Sequence, residues 1–140
     1  MNEVVGSRVG VMPKSGADKA LNALSWVFQI LAALMFLMAG SNKLRGAPEM
    51  VGLFEAIGIG QWFRYLTGSL EVIGAVLLVV PWLSAYGAAL LVPVMIGAVA
   101  THLFVIGGNP TMALVLLAAV LFVAWVRRGT LAAAFGRASR

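Results

Sequence analysis

Three ionisable residues lie where an apolar sequence makes charge expensive. Glu71 falls inside Leu66-Thr67-Gly68-Ser69-Leu70-Glu71-Val72-Ile73-Gly74-Ala75, Lys43 just past the first apolar segment, and His102 near the end of the third. A carboxylate at membrane depth costs about 2.5–3.5 kcal/mol unless it is neutralised or paired, so Glu71 requires a partner. Lys43 and His102 are the ionisable groups at comparable depth. An acid, an ammonium and an imidazole sharing one pocket can relay a proton and hydrogen-bond the carbonyl oxygens of a bound molecule. These three are the candidate catalytic residues. Each also has a structural explanation: Glu71 as a tie between helices, His102 as a packing residue, and Lys43 as an anchor snorkelling to the interface.

Helical spacing predicts which faces meet. Thr67, Glu71, Gly74 and Ala75 follow i, i+4, i+7, i+8, a small-residue face suited to close helix packing. Met95, Ala98 and His102 follow i, i+3, i+7, with Gly97 and Thr101 beside them, and Ala39 and Lys43 are four apart. The expected product is a pocket between the first three spans, open to the outer surface. Lys43, Glu71, Met95, Thr101 and His102 are its candidate ligand-binding residues.

The elements that position these groups follow from composition. The 140 residues are 61% hydrophobic and only 11% charged, with a mean hydropathy of +0.98, whereas a soluble domain carries about 25% charged residues. The chain reads as an integral membrane protein. Its net charge is +5, but seven of its ten basic residues flank the apolar region: Arg8, Lys14, Lys19, Arg127, Arg128, Arg137 and Arg140. Charge placed this way orients a chain in the membrane and attracts anionic headgroups; it predicts no nucleic-acid partner. The absence of cysteine removes thiolate chemistry, disulfides and iron–sulfur ligation. A single histidine cannot build a multi-histidine metal site, so no metal is expected without ligands from carboxylates or a second subunit.

In chain order, residues 1–19 read as a flexible cytoplasmic tail. Ala20 to Ala39 is uncharged and long enough to cross a hydrocarbon core of about 30 Å. It outruns a signal-peptide core and lacks a clear cleavage site, so it reads as a retained span. Between Arg45 and Phe63, apolar Met50, Val51, Leu53, Phe54, Ile57 and Ile59 interleave with Glu49, Glu55 and Gln61, predicting a short amphipathic interfacial helix. Trp62, Phe63 and Tyr65 form an aromatic belt, with Arg64 free to snorkel. Further spans are predicted at about 65–80, 86–106 with Pro93 as a kink, and 111–126. Residues 129–140 read as a short basic tail. The fold class is therefore all-α: a four-transmembrane-helix bundle over residues 20–128, with the interfacial helix between its first and second spans. Both basic termini face the cytoplasm of a cell inner membrane.

Ala39-Gly40-Ser41-Asn42-Lys43-Leu44, the Phe54 and Gly58 pair, Leu66 to Ala75, and Met95-Ile96-Gly97-Ala98 followed by His102 together resemble the DoxX family of small four-helix membrane proteins, over roughly Leu21 to Arg128. Ile59 stands where many relatives carry a proline. The resemblance implies a multipass membrane protein, with Lys43, Glu71 and His102 as its functional residues. In the name-giving relatives it implies a subunit linked to thiosulfate and quinone oxidation. Three functional readings follow. The first is an accessory subunit of a membrane redox or oxidative-stress system, binding a quinone or another lipophilic molecule and contacting membrane or soluble redox partners. The second is a scaffold or chaperone whose polar cluster only fixes packing. A proton-coupled transporter is the weakest, because only Gln29 continues a polar path into the inner half. Small-residue faces would also suit a homodimer.

Overall fold

The computed structural model describes residues 14–138. Most of the expected N-terminal tail, with Arg8, and the final Arg140 lie outside them. The described residues form six helices and no strand: α1 Gly16–Arg45, α2 Pro48–Ile57, α3 Gln61–Val79, α4 Ser84–Phe104, α5 Thr111–Val126 and α6 Arg128–Ala138.

The first helix is longer than expected at both ends. Its start is a capping box, in which Ser15 Oγ accepts from the Asp18 amide at 3.2 Å and Asp18 accepts from the Ser15 amide at 3.1 Å. This arrangement occupies amides otherwise orphaned in a first turn, and the acid suits the positive end of the helix dipole. Residues 16–19 are thus helical rather than tail. At the other end α1 runs through Gly40 to Arg45 and stops at Gly46, whose left-handed φ of 70° lets the Gly46 and Ala47 amides close onto the Lys43 and Asn42 carbonyls. Lys43 therefore stands in the last helical turn, not beyond it. Pro48 opens α2, where its missing amide costs nothing.

Helices α1, α3, α4 and α5 pack as a closed ring, in which α1 and α4 each touch both α3 and α5. Phe36, Leu78, Leu91, Val120 and Val123, drawn from all four helices, fill the centre with no exposed surface. Outward faces are as apolar as the core: Leu31, Leu34, Met38, Ile73, Ile96 and Val115 are all exposed. A protein that is apolar inside and out is built for a lipid solvent.

Helices α1, α3 and α4 are each long and apolar enough to cross a membrane. Helix α5 matches the predicted 111–126 segment but reaches only about 24 Å at 1.5 Å per residue. It meets the same length criterion only together with α6, from which it is bent by 65°. The bend falls at Arg127-Arg128-Gly129, where the apolar run ends. The expected tail is helical there up to Ala138.

Candidate functional site

The polar centre is created by two glycines. A Cβ on Gly40 would lie 2.8 Å from the Gly68 carbonyl oxygen and 2.9 Å from Val72 Cγ2, while one on Gly68 would lie 2.9 Å from Lys43 Cβ. Only at glycine can α1 and α3 approach this closely. One helical turn beyond the contact, Lys43 Nζ donates to both Glu71 oxygens, at 3.0 and 2.8 Å. The side chains are 14% and 3% exposed, respectively. The carboxylate is out of contact with solvent, and the lysine emerges slightly at the helix end.

Arg64 completes the cluster and corrects a sequence expectation. It does not snorkel: it is 4% exposed, donates to the main-chain carbonyl of Lys43 and through Nε to Gln61 Oε1 at 2.6 Å, and stacks at 4.3 Å over Tyr65. The cause lies in α1. The last carbonyls of a helix lack intrahelical donors and form the negative end of its dipole, so a buried guanidinium is held there. Gln61 Nε2 in turn donates to the Val51 carbonyl at 3.1 Å, tying α2 to the same network. Arg64, Gly68, Glu71, Ala75 and Leu78 form one buried stripe on α3. The i, i+7 relation of Arg64 to Glu71 was the available signal.

The expected three-residue pocket does not assemble through hydrogen bonds. His102 Nδ1 donates to the Ala98 carbonyl of its own helix at 2.8 Å, and Thr101 Oγ1 to the Gly97 carbonyl at 2.9 Å. No bond joins either residue to Lys43 or Glu71 among the described residues. Met95 lies in the apolar core beside Leu91. Polar side chains that bond back to carbonyls one turn earlier satisfy themselves locally and need no neighbouring helix. On α1, Gln29 Nε2 donates to Ser25 Oγ at 2.7 Å, and both residues are fully buried. Among the described residues, no group of three or more acidic or histidine side chains is arranged to hold a metal ion.

The cluster can hold charge and fix geometry, since both carboxylate oxygens are already engaged. Replacing Arg64 with methionine removes the charged donor from the Lys43 carbonyl, leaving it only the Gly46 amide at 3.2 Å, and should lower stability by about 1–3 kcal/mol. Chemical unfolding in detergent would read this directly, with an unchanged midpoint showing that Arg64 is dispensable.

No match is found among curated proteins or solved structures. The DoxX-like family matches residues 27–136, from within α1 to within α6. Taken with the apolar helices, that match over most of the sequence makes this chain a membrane protein belonging to the DoxX-like family.

Proposed function

We propose that this chain is a non-catalytic accessory scaffold of the cell inner membrane, crossing it four times through α1, α3, α4 and α5, with both termini in the cytoplasm. The carrying observation is the closed state of the polar centre: Lys43 donates to both oxygens of Glu71, and Arg64 holds the carbonyl of Lys43. Groups spent on one another fix α1 against α3 and leave little for a substrate. Lys14, Lys19, Arg127, Arg128 and Arg137 lie towards the two ends of the chain, and the positive-inside tendency supports reading that side as cytoplasmic. Helix α2 then lies at the outer surface, with Phe54 buried against Phe63 at 5.8 Å while Glu49 and Glu55 face outward. That acidic outer face is where a partner protein would be recruited.

A second reading is supported by one observation. His102 is half-buried, and its Nε2 has no hydrogen-bond partner among the described residues, so it is an acceptor free for a quinone-like or other small lipophilic ligand of a redox accessory subunit. Native mass spectrometry of protein gently extracted from its own membrane, wild type against His102→Phe, separates the two. The scaffold reading expects protein adducts that survive the substitution. A small-molecule adduct lost from the folded variant would overturn it in favour of a ligand site.

A further inference from the structure

At the end of the bundle opposite the ion pair, the start of α1 and the α5–α6 bend enclose an open groove of about 490 Å³. Its polar rim is Lys14, Asp18, Asn22, Arg127 and Arg128, with Trp125 beside them. Three cations therefore face one carboxylate. Asp18 is already engaged in the Ser15 capping box, accepting from both the Ser15 amide and hydroxyl. The two arginines differ in their commitments. Arg128 donates to the Trp125 carbonyl at 2.8 Å and lies 4.9 Å over its ring. Arg127 sits 5.7 Å from the Trp26 ring, yet its Nε and Nη2 are buried without any hydrogen-bond partner among the described residues.

Nε and Nη2 form one edge of the guanidinium fork, the edge that grips two oxygens of a phosphate side-on. Unpaired buried donors are costly and mark where a partner is missing. Arg127 lines the groove, so a rotation of its long aliphatic arm would present this edge to a phosphate there. Basic pockets between helices at the cytoplasmic face suit anionic headgroups, and flanking tryptophans suit the headgroup depth.

We propose that this groove binds the phosphodiester of an anionic membrane phospholipid, with Arg127 as the bidentate contact and Lys14 and Arg128 supplying the surrounding field. The inference rests on the membrane-spanning reading and is independent of the scaffold role.

The test is competition between phosphatidylglycerol and phosphatidylcholine, at equal concentration, for the full-length protein in detergent, read by native mass spectrometry. Phosphatidylglycerol should be retained preferentially, and each basic residue removed should reduce that preference about five-fold. Arg127→Gln/Arg128→Gln should abolish it in protein of unchanged helicity. Lys14→Gln, an exposed position outside the helices, should reduce it with no risk to folding. Equal retention of the two lipids, or a preference unaltered in Lys14→Gln, overturns the proposal. Displacement of bound phosphatidylglycerol by inorganic phosphate would assign the groove to a free anion and overturn the lipid assignment.

Discussion

Glu71→Gln should lower the unfolding free energy by about 3 kcal/mol, the low end of the range for breaking a buried ion pair. The low end is appropriate because Lys43, at the end of α1 and 14% exposed, can still lift its ammonium toward the interface once its partner is neutral. The reciprocal change, Lys43→Met, should cost more. It strands a carboxylate that is 3% exposed and sits inside α3, on a short side chain that cannot reach water. Denaturant unfolding in a single detergent, monitored by the helix signal, orders the two variants. Equal stability of Glu71→Gln and wild type would remove the ion pair from any account of this fold.

Gly40→Ala is the second large effect. Its new methyl would meet backbone, the Gly68 carbonyl oxygen at 2.8 Å, so no rotamer change relieves it. The α1–α3 contact must open, at a cost of about 1–3 kcal/mol for overpacking, and the Lys43–Glu71 geometry loosens with it. Gly97→Ala is the matched control. A Cβ there meets nothing within 4 Å, and alanine gains roughly 0.8–1.0 kcal/mol over glycine in a helix interior. The two substitutions should therefore move stability in opposite directions. The same sign for both would show that helix propensity, not close approach, governs Gly40.

Much of this was legible in the residues, for reasons that particular positions make plain. An acid within an apolar helix demands a cation, and Lys43 was that cation. The predicted 111–126 helix coincides with α5, because uninterrupted apolar residues between Pro110 and Arg127 leave few alternatives. The first span was expected to run only from Ala20 to Ala39, whereas α1 continues through Gly40-Ser41-Asn42 to Arg45, the glycine being a contact surface; tertiary packing overrides propensity there. Arg64 was misread because its partner is a main-chain carbonyl 21 residues away, and a sequence pattern does not display which carbonyl at a helix end will take a side-chain donor. His102 shares a depth with Glu71 in the sequence, but its Nδ1 bonds the Ala98 carbonyl one turn back in its own helix, a local acceptor that shared depth does not reveal. The α6 helix was missed because small residues and two arginines resemble a tail until they lie against α4 and α5.

A polar centre that serves as architecture must couple its two charges, and a double-mutant cycle on Lys43 and Glu71 measures that coupling. Lys43→Met/Glu71→Leu removes both charges and restores apolar contact between α1 and α3. The double variant should be more stable than either single variant, with a coupling of about 2 kcal/mol or more. Strictly additive losses would contradict it, since two residues that do not sense one another cannot be what holds α1 to α3.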